Sequence, residues 1–128
     1  SMHVSFSHTH GYVAVALHPS AEVGVDIEQY GTRVRRVASR FIREDEKVSI
    51  ASGDEIVGLL LHWSAKETMF KMMSQADVDF LEHLQILPFT PASSGEMKAY
   101  EYRTEKHQSF CISYDTHADY VLTFACLD

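Results

Sequence analysis

The sequence predicts an α+β fold, a single domain with one long helix packed on a mainly antiparallel sheet. Three observations carry that reading: short Val- and Ala-rich alternating runs open the chain, helical periodicity fills its middle, and four further strand-like runs close it. With 128 residues and 45% hydrophobic content, one domain spanning 1–128 is the default, able to bury a core without disulfide or metal staples.

The opening runs are Val4 to Ser7, Tyr12 to Leu17 and Val23 to Glu28, parted by a His/Thr/Gly turn and a His-Pro-Ser turn. They read as a compact meander or an equivalent small sheet. From Thr32 to Ala51 the apolar positions recur mostly at helical spacing with a break near Arg43 and Glu44, which predicts two short helices. Asp54 is a good N-cap for a helix from Glu55 to about Met73. At about 1.5 Å per residue that helix would cross the whole domain. Strands are expected at Leu84–Phe89, Met97–Arg103, Ser109–Tyr114 and Tyr120–Cys126.

Composition narrows the function classes. A net charge of −7 argues against nucleic-acid binding, which needs clustered cations. One local exception is Arg33, Arg35, Arg36, Arg40 and Arg43, five of the 11 basic residues. No apolar stretch is long enough for a membrane span and no secretory leader is evident, so a cytoplasmic protein is the simplest reading. Cys111 and Cys126 sit in apolar runs without ligand spacing and are expected to be buried free thiols, a disulfide being the alternative. Ser1-Met2 reads as a cloning remnant directly before a strand, which suggests a piece of a longer protein.

Three segments stand out chemically. In Gly24-Val25-Asp26-Ile27-Glu28, strand alternation points Asp26 and Glu28 to one face, where they could share a hard cation; a solvated acidic face is the plain alternative. In Trp63-Ser64-Ala65-Lys66-Glu67-Thr68-Met69-Phe70-Lys71, Glu67 and Lys71 share a helix face while Lys66 is turned about 100° away, a pattern that an ordinary helix ion pair also gives. In Ser5-Phe6-Ser7-His8-Thr9-His10, His8 suits a phosphate oxygen, whereas zinc would want further ligands that are not evident.

Together and in this order, these segments resemble the signature set of the 4′-phosphopantetheinyl transferases, specifically the surfactin-synthetase-activating type. Arg40-Phe41 followed by Glu46 is similar to a further segment of that type. Such enzymes have two similar halves with coenzyme A between them, and the chain looks like the C-terminal half. The small trimeric branch carries its serine-histidine segment after the lysine-glutamate motif, so it fits less well.

The resemblance implies magnesium-dependent transfer of the phosphopantetheine arm of coenzyme A onto a serine of an acyl or peptidyl carrier protein. It implies Asp26, Glu28 and Glu67 as magnesium ligands and His8, Lys66 and Lys71 as holders of the coenzyme. Glu67, Lys71 and Lys66 would act in catalysis, the serine proton going to Glu67 or to a bound water. Arg33, Arg36 and Arg40 would face an acidic carrier, the alternative being a basic face that pairs with the domain's own acids. A half-domain that binds coenzyme A or carrier protein without turnover is the rival reading, as is a different magnesium phosphotransferase. An uncovered half-domain face would favour a homo-oligomer.

Overall fold

Strands β1 (His3–Thr9) and β2 (Tyr12–His18) pair antiparallel, Phe6 facing Val15 and His8 facing Val13, around a turn where Gly11 takes a φ of +83°. This computed structural model describes residues 2–127; Ser1, where the expected cloning remnant begins, and Asp128 lie outside them. The hairpin is a sheet of its own. The expected meander is therefore corrected: β3 (Glu22–Gln29) leaves the hairpin and pairs with the last strand of the chain, β7 (Tyr120–Leu127). In place of a ladder between β1 and β3, the Val25 and Ile27 amides donate to Ser5 Oγ at 3.1 Å and Ser7 Oγ at 3.2 Å.

The main sheet has the order β3-β7-β6-β5-β4, with β4 at Leu84–Ile86, β5 at Ser94–Glu101 and β6 at Ser109–Thr116, every pairing antiparallel. Alternation turns Phe110, Ile112 and Tyr114 into the core, so Cys111 faces outward. Both cysteines are free and exposed, which corrects the expectation of buried thiols.

Between β3 and the sheet's remaining strands run the helices. Helix α1 (Val34–Val37) passes into a 3₁₀ turn at Ala38–Arg40, and a second 3₁₀ turn at Glu44–Glu46 leads into α2 (Lys47–Ala51), so the break falls where the periodicity fails. Helix α3 (Glu55–Met72) starts at Asp54, whose carboxylate accepts the Val57 amide at 3.1 Å. Leu61, Ala65 and Met69 of α3 are fully buried in one core with Leu84, Met97 and Ile112 of the sheet. No described helix is long and apolar enough to cross a membrane.

His62 of α3 is wholly buried, its Nδ1 2.7 Å from the Gly58 carbonyl and its Nε2 without a partner among the described residues. Burial holds its pKa below the ordinary histidine value, partly opposed by the Gly58 carbonyl. The unfolded chain accepts this proton below about pH 6.5, the folded domain only at lower pH, so stability is complete above about 6.5 and falls as pH drops. Because the other groups titrate in both chains, the stability of the parent in denaturant titration minus that of His62→Leu should decline from pH 7.5 to 5.5, by at most ~1.4 kcal/mol per unit. A difference that does not change with pH would mean that His62 is not held below its ordinary value.

Candidate active site

Where α3 crosses β3, the two backbones come unusually close. A Cβ on Gly24 would lie 2.7 Å from Met72 Cγ and 2.8 Å from the Thr68 carbonyl oxygen. Hydroxyls then lock the helix to the sheet: Thr123 Oγ1 of β7 is 2.8 Å from both Ser64 Oγ and Thr68 Oγ1, and donates to the Ser64 carbonyl at 3.0 Å. Ser64 Oγ also donates to the Asp26 carbonyl at 3.3 Å. This net fixes Glu67, on the next helical position, beside the acidic strand.

Asp26 is buried, yet on β3 it neighbours the hairpin and the helix at once. Its Oδ1 accepts from Ser7 Oγ at 3.4 Å and Lys71 Nζ at 3.4 Å, while Oδ2 is buried with no partner among the described residues. Glu28, two residues on, is pushed up to about 9 by burial first, then by the Asp26 carboxyl and the charge of Glu67, against a smaller pull from Lys71. Glu67 is likewise raised, by burial and then by Asp26. Glu28 and Glu67 are thus both part-buried and within electrostatic reach of Asp26.

The remaining expected residues divide. Lys71 stands on the site, its ammonium donating to the Val25 carbonyl at 2.8 Å and reaching Asp26 Oδ1 and the Phe6 carbonyl, both at 3.4 Å. Lys66 does not stand there: the quarter-turn that separates it from Glu67 sends it into the interior, fully buried against Glu46 at 2.9 Å. Its expected contact with the coenzyme is therefore corrected. His8 is exposed on the outer face of the hairpin, because alternation gives the inward positions to Ser5 and Ser7. It is not gathered with the carboxyl groups. Beside Glu28 opens a cavity of about 410 Å³ walled by Val34, Val37, Leu60 and Trp63, with Arg33 at its edge.

The five-arginine segment is divided too. Arg35 pairs with Glu55 at 2.6 Å and Arg43 with Asp45 at 3.4 Å. Among the described residues, Arg33, Arg36 and Arg40 have no ion pair, and all three are exposed.

The family model described as the 4′-phosphopantetheinyl transferase superfamily matches residues 22–125. The chain belongs to this superfamily. No curated protein matches the chain. The matched span takes in Asp26, Glu28, Lys66, Glu67 and Lys71 of the transferase domain, and leaves the β1–β2 hairpin and His8 outside it. Phosphopantetheinyl transferases take their arm from coenzyme A, act on carrier proteins and typically use a divalent metal.

The donor set of this transferase domain suits such a metal. All candidate ligands are oxygens, as magnesium prefers; Asp26 Oδ2 is a buried acceptor without a partner, and the mutual crowding of Glu28 and Glu67 with Asp26 is what a cation would relieve. As they stand, no three His, Cys, Asp or Glu side chains among the described residues form a ready-made cation cage.

Sequence reasoning about this transferase missed the parts that aim the carboxyl groups: Ser5, Gly24, Thr123, and Ser64 with Thr68 as fasteners. Ser64, Thr68 and Lys71 do recur at i, i+4 and i+7, a polar stripe along one face of the helix that signals contact with the sheet.

Proposed function

We propose that the domain catalyses magnesium-dependent transfer of 4′-phosphopantetheine from coenzyme A to a serine of an acyl or peptidyl carrier protein. In this reading it is the second half of a two-half enzyme of the surfactin-synthetase-activating type and works in the cytoplasm. The observation that carries it is the buried, unpartnered oxygen of Asp26 with Glu28 and Glu67 in electrostatic reach of it, in a chain of this superfamily.

Asp26, Glu28 and Glu67 are the residues that would hold magnesium, which when bound neutralises pyrophosphate charge and stabilises the leaving phosphate. Lys71 orients a phosphate oxygen by exchanging its long contact to the Phe6 carbonyl for it. The carrier serine oxygen bonds to the phosphorus of the arm, the P–O bond to adenosine 3′,5′-bisphosphate breaks, and the Glu67 carboxylate takes the serine proton. The apolar walls of the cavity beside Glu28 suit the arm, adjoining the carboxyl groups that face its phosphate.

Mass spectrometry of an apo carrier protein incubated with this chain, coenzyme A and magnesium should reveal the added arm. A carrier that stays unmodified, while coenzyme A or carrier still binds, would replace the transferase by the non-catalytic binding reading.

Arg33, Arg36 and Arg40, exposed and unpaired among the described residues, suit an acidic carrier surface. Reversing all three charges should raise KM for the carrier by roughly 10- to 100-fold, from ~1 kcal/mol or less per exposed charge pair, with KM for coenzyme A little changed. Equal effects on both substrates would defeat the docking role.

The hairpin's outer face has an occupant in the same reading. Val4, Phe6, Val13, Val15 and Leu17 are 58 to 73% exposed on one side of β1–β2. They present on the order of 500 Å² of apolar surface, at the upper end for a monomer and a fitting centre for the roughly 800 Å² per partner of a stable interface. For this chain by itself we assign a second copy, which also closes the side on which His8 stands. Light scattering should detect a dimer that Phe6→Glu with Val15→Lys converts to monomer; a monomeric parent chain overturns the assignment.

A further inference from the structure

Lys66 is a fully buried charge, and the transfer proposed above does not use it. All three of its ammonium protons have acceptors: the Phe41 carbonyl at 2.5 Å, Glu46 Oε1 at 2.9 Å and the Phe80 carbonyl at 3.2 Å. Glu46, also fully buried, takes the Arg43 amide on Oε1 at 2.8 Å and the Ile86 amide on Oε2 at 2.7 Å. Removing two ions from water costs several kcal/mol each, and an apolar pair of the same volume is often no less stable. The pair therefore contributes geometry more than stability.

That geometry converges on one ring. Phe41 and Phe80, the two residues whose carbonyls Lys66 holds, both pack on Trp63, with ring centroids at 5.1 Å and 5.3 Å. Both belong to irregular chain: Phe41 closes the 3₁₀ turn after α1, and Phe80 lies in the connection between α3 and β4. No ladder or long helix fixes either one. Trp63 sits one turn before Lys66 on α3, half-buried, and its exposed part walls the cavity beside Glu28.

We propose that Lys66 is a positioning residue: by holding the carbonyls of Phe41 and Phe80 it clamps two phenyl rings on Trp63 and so sets the wall of the cavity beside Glu28. It touches no substrate. Its influence on the reaction runs through Trp63, and falls on how well the arm of coenzyme A is seated more than on the chemical step.

Trp63 is the single tryptophan of the chain, so its emission reports the clamp directly. Lys66→Met alone leaves Glu46 as an uncompensated buried charge and is expected to unfold readily. The informative variant is Lys66→Met with Glu46→Gln, which removes both charges and leaves neither ion buried alone. The double variant should fold, shift the Trp63 emission to longer wavelength and make it more open to acrylamide quenching than in the parent chain. With coenzyme A varied, the double variant should raise KM roughly tenfold, about 1.4 kcal/mol of ground-state binding, with kcat changed less.

Trp63→Phe, which leaves every bond of Lys66 in place, should give the same loss weighted to KM. A parent-like emission in the folded double variant overturns the proposal. So does a fall in kcat at constant KM, which would make Lys66 a group acting in the transition state. An unchanged KM in Trp63→Phe overturns it as well, whether or not the Lys66 variants fold. The kinetic arm rests on coenzyme A being the substrate; the emission arm uses no substrate, so failure of the clamp and failure of the transferase reading give different results.

Discussion

Asp26→Ala is expected to lower kcat/KM for carrier-protein modification by at least ~10³-fold, the scale on which charge-stabilising groups act, while the domain stays folded. The two halves of that expectation have separate causes. Activity fails because, among the described residues, Asp26 is the carboxylate in contact with both neighbouring elements, through Ser7 of β1 and Lys71 of α3. Folding survives because the substitution also removes a buried oxygen without a partner and the charge that crowds Glu28 and Glu67. Thermal melting should stay within a few degrees of the parent, a shift equivalent to about 1 kcal/mol. Mass spectrometry of the carrier gives the other measurement, and transfer at the parent rate would remove Asp26 from the site.

Gly24→Ala carries the largest expected effect on stability. Its new methyl would meet Met72 Cγ at 2.7 Å, Met72 Sδ at 3.0 Å and the Thr68 carbonyl at 2.8 Å. A methionine can turn aside, but a helical carbonyl cannot move without the turn that contains it. We expect a loss of ~3 kcal/mol, the upper part of the range for overpacked cores, together with lower activity, because pushing α3 outward carries Glu67 away from Asp26. Met72→Ala in the same chain clears only two of the three contacts and should restore a minor part of the stability. Denaturant titration of the three chains measures this; full restoration would show that the backbone contact is harmless.

The site was legible where local geometry decides it. Strand alternation suffices to put Asp26 and Glu28 on one face, and helical spacing suffices to align Glu67 with Lys71. Asp54 announces α3 because capping is a local interaction. Parity, however, does not say which of two faces is inward. His8 was expected at a phosphate and stands outside because the hydroxyls of Ser5 and Ser7 satisfy the edge of β3. Cys111 and Cys126, in apolar runs, fall on the outward positions. Lys66 has the same limitation in helical form: adjacency to Glu67 suggests a shared task, yet a quarter-turn sends it to Glu46, whose location depends on two 3₁₀ turns that no periodicity describes. The partner of β3 is more than 90 residues away in sequence, and only tertiary packing selects it.

Strand β3 lies at the border of its sheet, with β7 on one side only. An uncovered border strand offers its amides and carbonyls to any extended chain that arrives, and this is how sheets grow into polymers. Here the Val25 and Ile27 amides are already taken by serine hydroxyls, groups that end a hydrogen-bond ladder instead of extending it. The contacts that bring the hairpin against Asp26 thus also occupy the edge of the carboxylate strand, so that Ser5 and Ser7 oppose the addition of further strands as well as aiming its acid groups.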